Sequence, residues 1–212
     1  MSTTITDGVY AEGLRFTNQV GTTESDSFSN TVASNEISQI VLGVPDLTIT
    51  KGVLAVDSTS SATLSGSRGP AGVLFNAPGS TEAFDATNGD SITSDALDVE
   101  PLDATLEDAD AGDVVTFGLM VQNRGSADFG AFDVQISDTL PAGFTTPASL
   151  AALNLRVTDG NGDPIAFNIL GGGTAADFFT SGIELVDPNA NTGSLAEYSG
   201  TNGENLVLIA YD

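Results

Sequence analysis

The chain has 212 residues, with 29 Asp and Glu against 5 Lys and Arg, and therefore carries a formal net charge of -24. A surface this acidic repels nucleic acids and anionic membranes, so neither is expected as a partner. Because the chain has no Cys and no His, disulfides, thiolate catalysis, His-ligated metal sites and a Ser-His-Asp triad are excluded.

Short runs of alternating apolar and polar residues recur along the chain and predict β-strands. In chain order these runs are residues 14–20, 28–33, 47–53, 72–76, 115–121, 132–136, 153–158, 165–170, 182–186 and 205–211. Gly- and Pro-containing turn signals separate them. The best helical candidate, residues 149–154, is too short to matter. The pattern predicts an all-β chain built as an antiparallel sandwich.

The clearest alternation lies in residues 115–121 and 132–136, where every second residue is apolar. Side chains at alternate positions of a strand share a face, so these residues are predicted to point into the core. They are Val115, Phe117, Leu119, Val121, Phe132, Val134 and Ile136.

Residues 57–110 break this pattern, because they are rich in Ser, Gly, Ala and Asp and carry only scattered apolar residues. We expect a long insertion that contains one hairpin. A connection of this length is either functional or poorly ordered.

Three short motifs, taken together, resemble a known family. The residues that carry them are Gly112, Asp113, Val115 and Phe117, then Asn123 and Gly125, then Asp138, Leu140, Pro141 and Gly143. They are similar to the G-D-x-V-x-Y, N-x-G and D-x-L-P-x-G signature of bacterial DUF11 repeats and the related isopeptide-forming fimbrial domains, and residues 45–51 resemble the family's first strand. The resemblance implies an Ig-like antiparallel β-sandwich over residues 45–212, in a large surface or matrix protein.

The resembled family ends its domains with a strand of the type N-T-A-x-V. The nearest match here is residues 29–34, which lie before the family-type first strand at residues 45–51 and not after the last strand. Residues 1–44 are therefore interpreted as an extra N-terminal β segment, either the tail of a preceding unit or donor strands. Residues 45–212 are interpreted as a unit without its tail.

One consequence is head-to-tail assembly by strand donation, in which the N-terminal segment of one copy completes the sandwich of the next. The side chains expected to fill the acceptor's core are Leu14, Phe16, Phe28 and Val32. Two alternatives stay open. The segment folds back onto its own chain, or the chain is a piece of a longer repeat protein whose flanking repeats are its partners.

Three polar side chains alternate with apolar neighbours and are predicted to face inward: Lys51, the only lysine, with Asn30 and Asp138. Burying them unpaired would be costly. Members of the resembled family join such a Lys and Asn by an isopeptide bond beside an acidic residue, which implies the same for this trio, in cis or in trans. The alternative is that Lys51 reaches solvent and Asp138 caps the turn that follows it.

Asp159, Asn161 and Asp163 place oxygen ligands at alternate positions of a Gly-rich loop. This spacing suggests calcium, the only cofactor that the sequence points to, although the distal Glu of an EF-hand is missing. A Gly-rich hairpin turn is the alternative interpretation.

These patterns favour an extracellular or cell-surface structural protein, a subunit or repeat of a filament or matrix. An adhesin that binds a glycan or protein through residues 57–110 is the alternative. Enzymatic activity is not expected, because no carboxylate pair is singled out by its spacing.

Overall fold

A computed structural model describes residues 15–25, 31–41 and 43–212, with the exception of positions 58, 88 and 127; within 15–25 and 31–41 only the backbone is described. The chain divides into two compact units, Met1–Val44 and Pro45–Asp212.

The first unit contains one antiparallel pair of strands. β1 (Arg15–Ser25) and β2 (Thr31–Val41) form a continuous ladder from Arg15↔Val41 to Ser25↔Thr31. No other described strand pairs with either of them. A two-stranded ribbon is only marginally stable in water on its own.

The second unit is all-β with three short helices. In chain order its elements are β3 (Leu47–Val56), β4 (Thr63–Ser65), α1 (Ser94–Val99), β5 (Thr105–Glu107), β6 (Val115–Asn123), β7 (Gln135–Ile136), α2 (Leu150–Leu153), β8 (Arg156–Asp159), β9 (Phe167–Ile169), α3 (Ala175–Thr180), β10 (Ile183–Leu185) and β11 (Leu206–Tyr211). They form a four-stranded sheet in the order β3-β6-β11-β8, a three-stranded sheet β7-β10-β9 and the pair β4-β5. Every pairing is antiparallel.

One face of the four-stranded sheet packs on the three-stranded sheet. The odd-numbered residues of β6 and β11 share one hydrophobic cluster with β7, β10 and α3. Phe178 of α3 and Tyr211 of β11 are buried in this cluster, with their rings in edge-to-face contact. Apart from Phe132, the residues that the alternation predicted to point into the core lie in this cluster.

The opposite face of the same sheet is covered by the insertion. Met120, Leu206 and Leu208 form a second hydrophobic cluster with apolar residues of the insertion, among them Phe84 and Ile92. Because both faces are covered, every residue of β6 is buried. The insertion is thus a packed layer of the fold. The hairpin expected within it is not observed: the strands β4 and β5 pair with each other, but α1 and a long stretch of chain lie between them.

Two glycines make room for close packing: Gly52 lets the insertion approach the sheet, and Gly118 leaves space for the side chain of Leu54 on the neighbouring strand. Gly52 and Gly118 lie directly opposite each other on β3 and β6. A Cβ atom on Gly118 would lie 2.7 Å from Cγ of Leu54, and one on Gly52 would lie 2.9 Å from Cδ1 of Leu102. Both distances are too short for carbon atoms in contact.

The structure corrects some expectations. Phe132, predicted to lie in the core, is 37% exposed, because Asp133 adopts a left-handed conformation with φ 51° and the strand begins only at Gln135. Residues 153–158 are not one strand, since Leu153 ends the short helix α2 and its C-cap Asn154 has a left-handed φ. Residues 72–76 contribute only an isolated bridge, from Phe75 to Phe84.

No helix among the described residues is long and apolar enough to cross a bilayer.

Candidate functional site

The two sides of the second unit differ in how its sheets are joined. On one side the chain after β8 pairs back onto it, with the amide of Ile165 donating to the carbonyl of Val157, before it enters β9. On the other side β3 and β7 are edge strands. No described strand bridges them. The sheets are therefore connected along one side and open along the other.

The open side exposes part of the core face. Leu47 and Ile49 of β3 are 45% and 55% exposed, although Ile49 pairs with Val121 and therefore shares its core-facing side. Beneath them lie the buried Val134 and Ile136. These residues line a groove of about 300 Å³, completed by Thr48, Gln135 and Ser137. No lining residue is charged, in a chain whose net charge is -24.

Further along β3, the next core-facing residue is Lys51, whose side chain crosses the opening. Its Nζ donates to Oδ1 of Asp138 at 2.7 Å and to the carbonyl of Thr139 at 3.2 Å. The ammonium also lies 5.2 Å from the centroid of the Phe117 ring. The Lys51 side chain is 30% exposed and that of Asp138 only 7%. This ion pair is the only cross-link between the two edges among the described side chains of the opening.

Both carboxylate oxygens of Asp138 accept hydrogen bonds from neighbouring groups. Its Oδ1 also accepts from the amide of Thr139 at 2.7 Å, and its Oδ2 accepts from the hydroxyl of Tyr211 at 2.5 Å. Burial, reinforced by the Asp138 carboxylate, raises the pKa of Tyr211, so the phenol stays protonated and acts as a donor. Asp138 therefore both caps its turn and holds Lys51.

Beyond Lys51 lies a second apolar pocket of about 280 Å³. Its lining includes Val53, Leu106, Pro141 and Phe144. The Phe144 ring packs edge-on against Phe117 with centroids 5.1 Å apart. The opening is thus apolar at both ends and polar in the middle.

We name this opening the β3–β7 slot. One wall is formed by the core-facing residues of β3, the other by β7 and the residues that flank it. Its named residues are Leu47, Ile49, Lys51, Val53, Val134, Ile136, Asp138 and Phe144.

The sequence-predicted residues fall into two groups. Lys51 and Asp138, which alternation placed on inward faces, are in direct contact. Asn30, Leu14 and Phe28 lie outside the described residues. Phe16 and Val32 are described only by their backbones, which pair with Ile40 and Glu24.

The predicted calcium loop forms a compact turn. Oδ1 of Asp159 accepts from the amides of Asn161 and Asp163 at 2.8 and 2.9 Å. Burial raises the pKa of Asp159 in spite of these hydrogen bonds. Among the described residues no group of three or more acidic side chains is arranged to hold a metal ion. Calcium binding here stays a prediction.

Comparison with known proteins gave no match: no protein-family model, no curated protein and no solved structure is similar to the chain. The resemblance to DUF11 and fimbrial domains therefore rests on the sequence motifs alone, and the function has to be inferred from the slot.

Proposed function

We propose that the chain is an extracellular structural subunit that assembles head to tail by β-strand donation. The N-terminal unit of one copy fills the β3–β7 slot of the next, completing an Ig-like sandwich. The observation that supports this most strongly is the slot itself, where Leu47 and Ile49 are about half exposed above the buried Val134 and Ile136.

The edge of β7 supports pairing with an added strand. The carbonyl of Val134 accepts from the amide of Leu185 on β10. Since backbone groups alternate sides along an antiparallel strand, those of Gln135 point to the opposite edge. No described strand pairs there. A donated strand would supply the missing ladder.

Filling the slot also removes apolar surface from water. Burying one Leu or Ile side chain fully is worth roughly 1.5–3 kcal/mol, and Leu47 and Ile49 are each about half exposed. The gain from these two side chains, together with the donor's own apolar residues, offsets part of the entropy lost on association.

The proposed donor is the N-terminal unit, whose two described strands pair only with each other among the strands that the structure describes. β1 and β2 form a two-stranded ribbon, which is marginal on its own. Because donor and acceptor are different surfaces, the contact is heterologous and propagates as an open filament.

The apolar residues of the insertion are used to cover the sheet, which favours this function over ligand binding by the insertion.

An isopeptide bond would lock the same contact covalently. Nζ of Lys51 would attack Cγ of Asn30, the bond from Cγ to Nδ2 would break, and ammonia would leave. The contact of Lys51 with Asp138 supports this step. Intact mass spectrometry tests it: each bond removes one ammonia, and Lys51→Arg should abolish both the mass loss and any ladder on denaturing gels. An unmodified mass in assembled chains would exclude the bond without excluding strand donation.

Assembly is tested with a matched pair of substitutions in the full chain. Ile49→Lys places a charge inside the slot, whereas Leu74→Lys alters an aliphatic residue that is 67% exposed in the insertion. We expect wild type and Leu74→Lys to form polymers in light scattering and electron microscopy, and Ile49→Lys to remain monomeric. Polymers of Ile49→Lys, or a wild type that is monomeric at every concentration, would contradict the proposal.

A further inference from the structure

The second unit contains a cavity that is larger than either pocket of the slot. Its volume is about 660 Å³, against about 280 and 300 Å³ for the two pockets. It lies between the turn that precedes β6, residues 109–114, and the loop that follows β7, residues 140–147. We name it the aromatic cavity, because four rings line it: Phe117, Phe144, Phe179 and Tyr211.

We propose that the aromatic cavity binds a small organic cation, in which an ammonium group is attached to an apolar or aromatic body. Small-molecule sites usually have volumes of about 300–1,000 Å³ and are lined mainly by apolar and aromatic side chains with a few polar groups. This inference goes beyond the proposed function and does not rest on it.

The four rings form a continuous surface. The ring centroids are 5.1 Å apart for Phe144 and Phe117, 5.6 Å for Phe117 and Tyr211, and 5.4 Å for Tyr211 and Phe179. Phe117 and Tyr211 are buried, whereas Phe144 is 38% exposed and Phe179 is partly buried. The outer two rings are therefore the ones that a ligand can reach. The face of an aromatic ring carries partial negative charge and attracts cations.

The same group of rings already contacts an ammonium group on the slot side. Nζ of Lys51 lies 5.2 Å from the centroid of Phe117 and 2.7 Å from Oδ1 of Asp138. A ring and a carboxylate thus hold a cation together in this fold. The aromatic cavity offers the same two kinds of group, and no Lys or Arg is among the described residues that line it.

The carboxylates of the cavity come from the turn before β6. The amide of Asp110 donates to Oδ2 of Asp113 at 2.8 Å. This bond, followed by one from the Ser60 hydroxyl, lowers the pKa of Asp113, so its carboxylate is ionised at neutral pH. Neither aspartate forms an ion pair with a described Lys or Arg side chain. Asp212 also lines the cavity, but it is paired with Arg156.

This combination favours an organic cation over other ligands. An anion would meet carboxylates in a chain whose net charge is already -24. A bare metal ion is not favoured either, since no group of three or more acidic side chains among the described residues is arranged to hold one. An ammonium group on an apolar body matches both the carboxylates and the rings.

Three probes that differ only at one end test the charge. They are 2-phenylethylammonium, the neutral 2-phenylethanol and the anion 3-phenylpropanoate, titrated into the full chain by calorimetry. Sodium chloride at about 0.15 M screens general attraction to the acidic surface. We expect one site per chain, with the ammonium bound about tenfold more tightly than the alcohol and no binding of the anion.

Two substitutions with matched controls test the place. Phe144→Leu keeps an apolar side chain but removes a ring, and Asp113→Asn removes a charge with little change in shape. Each should weaken binding of the ammonium by about fivefold to tenfold. Phe129→Leu and Glu82→Gln make similar changes at exposed positions outside the cavity and should leave binding unchanged. Thermal unfolding of each variant checks that the fold is kept.

Three results would each overturn the inference. Equal affinity for the ammonium and the alcohol would show that charge is not recognised. Equal weakening by the cavity substitutions and their controls would show that the cation binds elsewhere on the acidic surface. Absence of binding up to about 10 mM ammonium would show that the cavity is not a site for this class of ligand. None of these results bears on assembly, which the Ile49→Lys comparison judges separately.

Discussion

The two sides of the second unit hold similar pairs of charges in opposite settings. On the connected side, Arg156 and Asp212 form an ion pair with both side chains only 5% exposed. On the open side, Lys51 and Asp138 form a pair whose lysine is 30% exposed. The Arg156–Asp212 pair lies in a fully buried part of the protein. The Lys51–Asp138 pair lies across the β3–β7 slot, where part of the hydrophobic core is exposed.

The hydrogen bonds around Asp212 make this difference concrete. Its carboxylate accepts from Thr116, Asn154, Arg156 and the amide of Gly79. Arg156 and Asn154 also donate to the carbonyl of Ser80. Sheet, helix α2 and insertion are therefore joined through a single carboxylate, whereas Lys51 has two partners on one loop. We infer that the connected side stabilises the subunit and that the open side serves assembly.

The largest effect on stability is expected from Arg156→Met. Removing one member of a buried pair leaves an uncompensated charge, at a cost of roughly 3–5 kcal/mol. Denaturant unfolding of the monomeric Ile49→Lys background measures this. The matched control is Arg124→Met, which breaks the exposed pair with Asp98 and should change stability little. Equal losses for the two substitutions would show that the connected side has no special role.

Acid should weaken the connected side through Asp212. Burial opposes its charge, but the hydrogen bonds and the Arg156 charge outweigh burial and lower its pKa. The stabilisation is present above the unfolded value of about 3.9 and is lost as pH falls through the lower folded pKa. The stability gap between wild type and Asp212→Asn should therefore be constant near neutrality and shrink below about pH 4. A gap that does not change with pH would contradict this.

Lys51→Met should affect assembly much more than it affects the stability of the monomer. Lys51 is 30% exposed, and Asp138 keeps its hydrogen bonds from Thr139 and Tyr211 when Lys51 is replaced. The monomer should therefore lose less stability than it does with Arg156→Met. Assembly, in contrast, should be lost or strongly weakened, because Lys51 is the polar group at the centre of the slot that the donated strand is proposed to enter. Sedimentation and unfolding measurements on the same samples compare the two effects. Unchanged assembly would remove Lys51 from the account.

The smallest expected effect concerns calcium. If the loop of Asp159, Asn161 and Asp163 binds the ion, calcium should raise the thermal midpoint, and Asp163→Asn should remove the increase. Sodium chloride at equal ionic strength controls for screening of the acidic surface. Identical midpoints with calcium and with chelator would leave the loop as a turn held by Asp159.

Much of the fold could be predicted from alternation. β3, β6 and β11 lie at the residues where alternation predicted strands. Apolar residues at every second position lie on one face of a strand, and burial of that face fixes how the strand is oriented in the sheet. The packing of the insertion could not be predicted, since Phe84, Ile92 and Leu102 follow no period. One signal was present, however: residues 206–211 are apolar at every position, which is typical of a strand covered on both faces.

The candidate site was predicted in part. Alternation placed Lys51 and Asp138 on inward faces, and they are in contact. Tyr211 was missed, although its alternation with Val207 and Ile209 points it to the same core. The exposure of Leu47 and Ile49 could not be foreseen, because it depends on which strand lies beside β7, a question of long-range pairing that no local pattern answers.

The most direct test of the central claim is hydrogen exchange at the edge of β7. Wild-type polymers are compared with the Ile49→Lys monomer, following the segment 134–138 and, as an internal reference, the buried strand β6. The account predicts that the amides of 134–138 become strongly protected on assembly while β6 exchanges equally slowly in both states. Polymers in which 134–138 exchange as fast as in the monomer would show that the slot is empty and that the chains associate elsewhere.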